Sequence, residues 1–240
     1  MKRVATLIVM LALGALLAQS AFAAGVVRIS QVYGGGGGST GYYNDDYIEL
    51  FNSSGSAVVV PAGGWAMMYG SATGTSYGSA STNVALIPAG TSIPACGYLL
   101  IRCGTTGTNG LPLPVTPDLS TTGPNISNST GKIALVNNQT VPGPACSGNV
   151  LGLEPSPIID AVGWGPTSNC YETAVFGTAT SSQQAVVRGA GGMTDNDNNS
   201  TDFSLVASPT PRNSASAPNP DCLVTPTRSN TWGQLKVLYR

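Results

Sequence analysis

Three carboxylates, Asp45, Asp46 and Glu49, follow a pair of tyrosines near the start of the chain. Two carboxyl groups flanking a glycosidic bond are the catalytic pair of most glycoside hydrolases. Successive residues of a strand point to opposite faces, however, so neighbours on one strand do not converge on one substrate. Because Asn44 and Asp45 are common turn formers, the run favours a turn before a buried strand.

A second acidic run places oxygen-bearing side chains at alternate positions, as calcium-binding loops do. An EF-hand needs Gly at position 6 and Glu at position 12 of its loop, where this sequence has Ser200 and Val206, so an EF-hand is excluded. A looser site remains a candidate for a structural calcium ion. Its ligands would be Asp195, Asp197, Asn199 and Asp202. The alternative is a network of Asx turns, in which these side chains bond to nearby backbone amides.

The chain of 240 residues contains no histidine. Nucleophile systems of the Ser-His-Asp and Cys-His types, HExxH zinc sites and nucleases with a histidine base are therefore excluded. The run Gly34–Gly38 lacks the Gly-Lys-Ser/Thr of a phosphate-binding loop and predicts a flexible hairpin connection instead. We predict no catalytic residue and no cofactor other than the candidate calcium ion.

Five cysteines leave at least one thiol unpaired within the chain. Cys96 and Cys103 flank one predicted strand, which would hold them roughly 20 Å apart, too far for a disulfide. Cys146 and Cys170 lie on either side of another predicted strand and are the favoured disulfide pair. The spacing argues against a zinc cluster of cysteines, since no two cysteines are separated by only two to four residues.

Short apolar or alternating runs recur between clusters of Gly, Pro, Asn and Ser, which is typical of an all-β chain. The runs cover Val26–Tyr33, Tyr47–Asn52, Ala57–Val60, Trp65–Tyr69, Val84–Ile87, Tyr98–Arg102, Lys132–Val136, Ile158–Gly163 and Ala185–Arg188. In the second run, a period of two puts Ile48 and Leu50 on one face and Glu49 on the other. Such strands without intervening helices predict a β-sandwich. The connection from Gly104 to Gly131 predicts an ordered surface loop or partial disorder.

Residues 1–23 have the three parts of a secretory signal peptide: a positive start at Lys2 and Arg3, an apolar stretch, and the cleavage site Ala21-Phe22-Ala23. No later segment is long and apolar enough to cross a bilayer, so we expect a secreted or cell-surface protein. Cleavage removes two of the 10 basic residues and leaves 8 against 11 acidic ones. This net negative charge disfavours a nucleic-acid partner.

Several motifs occur in the order found in bacterial lamin tail domains. They are Ile29-Ser30-Gln31-Val32-Tyr33 before the glycine run, Tyr47-Ile48-Glu49-Leu50-Phe51-Asn52, Asp160-Ala161-Val162-Gly163-Trp164, and Thr194-Asp195-Asn196-Asp197 leading to Asp202-Phe203. The chain resembles this family over residues 26–215. The resemblance implies an immunoglobulin-like β-sandwich over residues 24–213 that contacts partners, and in some secreted relatives it stands beside a nuclease or phosphoesterase domain. Relatives often have a cysteine where this chain has Met193, so Cys222 either lacks a partner or joins Cys96 or Cys103.

Residues 214–228 form a predicted linker rich in Ala, Pro, Asn and Thr. In residues 229–240, apolar side chains return at helical spacing, which predicts a short amphipathic C-terminal helix. These side chains are Trp232, Leu235, Leu238 and Tyr239. The ending resembles short tails of exported proteins of Gram-negative bacteria. Because so short a helix needs a docking surface, it is either a sorting or docking tag or a helix packed on its own domain.

These observations favour a non-catalytic exported or cell-surface module that binds or scaffolds an unknown protein, glycan or surface partner. The alternative is a carbohydrate- or nucleic-acid-binding accessory module that stacks its ligand on exposed tyrosines. The candidate platform is Tyr42, Tyr43, Tyr69 and Tyr77. A hydrolase is a more distant third alternative, which phosphodiester and glycoside substrate screens would reveal.

Overall fold

The structure, a computed structural model, describes residues 25–151 and 156–223. The predicted signal peptide at residues 1–23 and the predicted C-terminal tail at residues 229–240 lie outside this range. Within the described part of the chain, no helix is long and apolar enough to cross a membrane.

The described residues are folded almost entirely as β-strands and turns. In chain order the strands are β1 (Val27–Tyr33), β2 (Asp46–Asn52), β3 (Val58–Val59), β4 (Trp65–Gly70), β5 (Val84–Ile87), β6 (Ser92–Ile93), β7 (Tyr98–Cys103), β8 (Leu119–Ser120), β9 (Gly131–Val136), β10 (Gly148–Asn149), β11 (Ile158–Trp164), β12 (Cys170–Tyr171), β13 (Gln184–Arg188) and β14 (Phe203–Ala207). One short α-helix, α1 (Asn199–Asp202), precedes β14. The chain is therefore all-β, as its alternating runs predict.

The strands form two larger sheets and two short pairs. The six-stranded sheet has the order β14-β13-β1-β2-β7-β8 and is antiparallel except between β7 and β8. The four-stranded sheet has the order β11-β9-β4-β5 and is antiparallel throughout. In addition, β3 pairs with β6, and β10 pairs with β12.

Side chains from both larger sheets form one hydrophobic core. Ile48 and Leu50 of β2 belong to it together with Trp65 and Met67 of β4, and all four are at most 1% exposed. The two-residue period of these strands places the members of each pair on one face. Full burial of one such side chain contributes about 1.5–3 kcal/mol to stability.

The outer face of each larger sheet is covered as well. On the four-stranded sheet, Met68 packs in a second cluster that includes Tyr77. On the six-stranded sheet, Tyr47 belongs to a third cluster, against which Leu113 packs. The long connection that supplies Leu113 also contains β8, so it is an ordered part of the domain.

Residues 214–223, the described part of the predicted linker, are attached to the domain. Asn219 donates through its side chain to Ala190 O at 2.9 Å and through its backbone N–H to Cys96 O at 2.8 Å. Cys222 is joined to Cys96 by a disulfide. The packed chain therefore continues to residue 223, beyond the boundary predicted at residue 213.

Candidate functional site

A buried arginine links the two larger sheets. Arg188 of β13 donates from Nη2 to both carboxylate oxygens of Asp160 of β11, at 2.7 and 2.9 Å, and its side chain is fully buried. It also donates to Ile29 O at 2.9 Å and to Asp195 at 3.1 Å. Register shifts in β1 and β11 at this point leave Ile29 N–H able to donate to Asp160 at 2.5 Å. These bonds provide the partners that a charge removed from water requires.

A second buried carboxylate, Glu49 of β2, anchors the segment that follows β14. Arg212 donates from its guanidinium to Glu49 Oε1 at 2.7 Å and from its backbone to Oε2 at 2.6 Å. The guanidinium carbon also lies 3.7 Å from the ring centre of Tyr98. Ser30 donates to the same carboxylate at 2.6 Å. Charge-assisted bonds therefore hold this segment against the outer face of the six-stranded sheet.

The third carboxylate of interest, Asp46, holds the glycine run against β2. Its Oδ1 accepts from Gly36 N–H and its Oδ2 from Ile126 N–H, both at 2.8 Å. A Cβ at Gly36 would collide with the backbone of Asp46, so this close approach requires glycine. The run Gly34–Gly38 lies in the connection between the antiparallel strands β1 and β2, as the hairpin prediction expects, but it is a packed loop and not a flexible one.

Ionisation of Asp46 should make stability depend on pH. Burial raises the pKa of Asp46 to about 6 from its ordinary 3.8, against the lowering effect of its two amide donors. Because the folded pKa exceeds the unfolded one, this contribution is complete below about pH 4 and is lost as pH rises through 6. Between pH 4 and pH 7, the unfolding free energy of the wild type should fall by roughly 2–3 kcal/mol more than that of Asp46→Asn. Denaturant unfolding at both pH values measures this, and equal pH dependence in the two proteins would contradict it.

The predicted calcium ligands Asp195, Asp197, Asn199 and Asp202 are mostly engaged elsewhere. Asp202 accepts from the backbone N–H groups of Asn196 and Asn198 at 2.9 and 3.1 Å, and Asp195 pairs with Arg28 at 2.8 Å. The described residues contain no group of three or more Asp, Glu, Cys or His side chains that could hold a metal ion. An Asx turn is present at Asn198, whose side chain accepts from Ser200 N–H at 3.1 Å, while Asp202 accepts from preceding backbone amides and Asp195 is held by an ion pair.

Asn199, the amide in that predicted ligand set, uses its side chain for hydrogen bonds within the domain. It lies fully buried at the start of α1 and accepts from Gly163 N–H at 3.0 Å. Its Nδ2 donates to Ala161 O at 2.9 Å and to Glu172 at 3.1 Å. Burial, with the nearby Asp160, raises the pKa of Glu172 above its ordinary value.

Two disulfides are present. Cys146 is joined to Cys170, the pair that the sequence favours, with a Cα–Cα distance of 5.9 Å. Cys96 is joined to Cys222, with a Cα–Cα distance of 5.5 Å, which decides between the alternatives for Cys222. Cys103 is a buried free thiol. Two disulfides fit an extracellular protein, because such bonds persist in oxidising compartments.

The predicted tyrosine platform is not exposed, and that prediction is wrong. Tyr43, Tyr69 and Tyr77 are at most 9% exposed, and Tyr42 is partly buried. The Tyr43 hydroxyl donates to Pro209 O at 2.6 Å. These rings bury their apolar bodies within the domain, which is a common use of tyrosine. They therefore cannot stack a sugar or a base as a group.

Lys132 of β9 is a buried amine that the sequence reasoning did not single out. It is fully buried, and its Nζ donates to Asn169 Oδ1 at 2.6 Å and to Gly74 O. The same nitrogen lies 5.9 Å from the ring centre of Tyr77. Within the described residues Lys132 has no salt bridge to a carboxylate. Burial lowers the pKa of this amine to about 8.

The sequence contains a signal for Lys132 but not for the Arg188–Asp160 pair. A two-residue period places Lys132 on one strand face with Ala134 and Val136, where a single charge among apolar residues is unusual. Arg188 and Asp160 are 28 residues apart and lie on different sheets, so local spacing could not reveal their pairing.

Comparisons with known proteins do not assign a family. No protein-family model matches the chain, and no curated protein matches it. A crystal structure described as a DUF4876 family protein from Bacteroides thetaiotaomicron VPI-5482 is similar to it, with a TM-score of 0.46 and 12% identity. The match covers 75% of this chain and 71% of that chain. The resemblance to lamin tail domains therefore rests on the sequence motifs.

Proposed function

We propose that the chain is an exported, non-catalytic binding or scaffolding module of the lamin tail type, folded as an immunoglobulin-like β-sandwich. Support for the sandwich comes from the hydrophobic core to which both larger sheets contribute. Support for export comes from the two disulfides and from the signal-peptide pattern of residues 1–23.

One observation determines which kind of partner we propose: every basic side chain in the described residues has an internal partner. These residues are Arg28, Arg102, Lys132, Arg188 and Arg212. Even the partly exposed Arg102 lies 3.5 Å from Asp45. A surface that captures phosphates needs unpaired cations, so this arrangement disfavours nucleic acid as the partner.

Most carboxylates of the described residues are also buried, which leaves this part of the chain with few free surface charges. Among the described acidic residues, Asp197 and Asp221 are the exposed ones. Isolated apolar side chains such as Val59 and Leu111 are more than half exposed. A partner would therefore be recognised through shape, neutral hydrogen bonds and small apolar contacts, with little electrostatic steering.

The test is a binding panel with the purified exported protein: cell envelopes of the producing bacterium, a glycan array and duplex DNA. We expect saturable binding to envelopes and no turnover of phosphodiester or glycoside substrates. Glycan or DNA binding without envelope binding would favour the accessory-module alternative. Substrate turnover would end the non-catalytic proposal.

A truncated chain that ends at residue 223 tests the predicted docking tail in the same assay. It keeps both disulfides and removes residues 224–240, which include the predicted tail at residues 229–240. Loss of envelope binding would assign docking to the tail. Unchanged binding would assign the partner surface to the described domain and would contradict the docking-tag interpretation.

A further inference from the structure

The buried amine of Lys132 and the side-chain amide of Asn169 are positioned to react with each other. We propose that they form an intramolecular isopeptide bond, with loss of ammonia, that links β9 covalently to the segment before β12. This bond is independent of the proposed function, because it depends on the interior of the domain and not on its partner.

The first argument is distance. Lys132 Nζ lies 2.6 Å from Asn169 Oδ1, and a carbonyl bond is about 1.23 Å long, so the amide carbon is at most about 3.8 Å from the amine. Reacting atoms in a near-attack arrangement are about 3–3.5 Å apart. A small rotation of either side chain would therefore bring the amine into bonding range.

The second argument is that the attacking nitrogen, Lys132 Nζ, and the leaving nitrogen, Asn169 Nδ2, donate to the same acceptor. Gly74 O accepts from Lys132 Nζ and, at 3.2 Å, from Asn169 Nδ2. The backbone N–H of Asn169 is also fixed, by a 2.9 Å bond to Ala72 O. The attacking and leaving nitrogens are thus held side by side, and the amide has little freedom to turn away.

The third argument is the space that the neighbouring strands leave for the lysine. In the sheet register, Lys132 is paired with Gly70 of β4 and Gly163 of β11. A Cβ at Gly70 would stand 2.8 Å from Lys132 Cε, and a Cβ at Gly163 would collide with the backbone of Cys170. Glycine on both sides therefore lets the lysine and the Cys170 segment pack closely over this part of the sheet.

The reaction balances without an external reagent. The unprotonated amine of Lys132 adds to Cγ of Asn169 and forms the Nζ–Cγ bond. The Cγ–Nδ2 bond then breaks, and a proton from Nζ leaves with Nδ2 as ammonia. Desolvation activates lysine amines as nucleophiles, and the pKa of about 8 at Lys132 makes the free base accessible near neutral pH.

The product also removes an unfavourable feature of the interior. An ammonium without a carboxylate partner is costly to bury, because neutral oxygens replace its hydration only in part. The isopeptide is neutral. The proton that the lysine ammonium carried is taken up in water by the released ammonia, so the positive charge leaves the interior. The Tyr77 ring centre lies 5.9 Å from this amine, and the Tyr77 hydroxyl is buried without a hydrogen-bond partner within the described structure.

Tryptic digestion of the reduced, alkylated and denatured wild-type protein tests the proposal. An unlinked Lys132 is a cleavage site and gives separate peptides of residues 103–132 and 133–188. A linked Lys132 is not cleaved, so we expect one peptide of residues 103–188 with a mass about 17 Da below that of its sequence. Quantitative recovery of the two separate peptides, even after incubation of the folded protein at pH 9, would overturn the proposal.

Two variants identify the partners. Lys132→Met and Asn169→Ala should both show the full sequence mass, and Asn169→Ala should regain cleavage after Lys132. Mapping of the Cys146–Cys170 disulfide in each variant reports whether the region is folded. A loss of about 17 Da that persists in Asn169→Ala would show that another residue is modified and would overturn the assignment. If a variant does not fold, the wild-type digest still decides.

Discussion

Replacement of Arg188 by methionine should destabilise the protein by roughly 3–5 kcal/mol, the usual cost of breaking one side of a buried ion pair. The substitution removes the guanidinium that bonds Asp160 at 2.7 and 2.9 Å and leaves this nearly buried carboxylate without its cation. It also leaves the fully buried carboxylate of Asp202, which lies 3.7 Å from the Arg188 guanidinium, without this cation. Methionine fills much of the same volume, so the loss reports the charge and its hydrogen bonds. Equilibrium unfolding in denaturant measures the change.

Arg102→Met is the matched control for that experiment. Arg102 lies 3.5 Å from Asp45, and about a quarter of its side chain is exposed. Exposed ion pairs contribute only about 0–1 kcal/mol, so this variant should be nearly as stable as the wild type. Equal, small losses in Arg188→Met and Arg102→Met would contradict the role of Arg188 as the link between the sheets.

Removal of the Cys96–Cys222 disulfide should cost roughly 3–5 kcal/mol, because the bond closes a long loop in the unfolded chain. The two cysteines are 126 residues apart in sequence. Without the bond, residues 214–223 keep the contacts of Asn219 with Ala190 and Cys96 but lose their covalent anchor. Thermal unfolding of the double variant Cys96→Ala/Cys222→Ala measures the loss, and limited proteolysis should show cleavage within residues 214–223.

Variants of the other cysteines are controls with smaller expected losses of stability. The Cys146–Cys170 bond spans 24 residues, so its removal should cost roughly 3 kcal/mol in the same entropic description. Cys103→Ala removes a buried thiol without breaking a bond and should cost less than either double variant. A Cys96→Ala/Cys222→Ala protein as stable as Cys103→Ala would show that the long-range disulfide is not a structural anchor.

The strands that carry a local pattern were predictable from the sequence. In β2, the alternation of Ile48 and Leu50 with Glu49 follows from the geometry of a strand between two covered faces. Two-residue strands such as β8 and β10 have no such pattern, because distant partners define them. β14 also lies outside the predicted runs, although Phe203 and Leu205 alternate there. The preceding Asp/Asn run is typical of a loop and hides this strand.

The candidate site was harder to predict, because its partners come from distant parts of the chain. Local spacing makes Asp195 a candidate calcium ligand, but Arg28, far away in sequence, pairs with it. The sequence predicts an exposed tyrosine platform, because it does not show which loops cover the outer face of a sheet. Even so, the sequence shows directly that histidine is missing and that charged residues are few, and it correctly favours the Cys146–Cys170 disulfide.

The pairing of arginines with carboxylates inside the domain predicts how binding should depend on salt. Within residues 25–151 and 156–223 the arginines are paired internally, so a contact made by this part of the chain should release few counterions and depend little on salt. By contrast, a protein that contacts several phosphates loses affinity steeply as salt rises. The salt dependence of binding therefore separates the two kinds of surface even while the partner is unidentified.

The most direct measurement is the Kd of the purified protein for cell envelopes of the producing bacterium across a series of salt concentrations. We predict saturable binding and a slope of log affinity against log salt between 0 and about −1, equivalent to at most about one phosphate contact. A slope steeper than about −3 would show that free cations make the contact. That result, or the absence of saturable binding at every salt concentration, would contradict a neutral binding module.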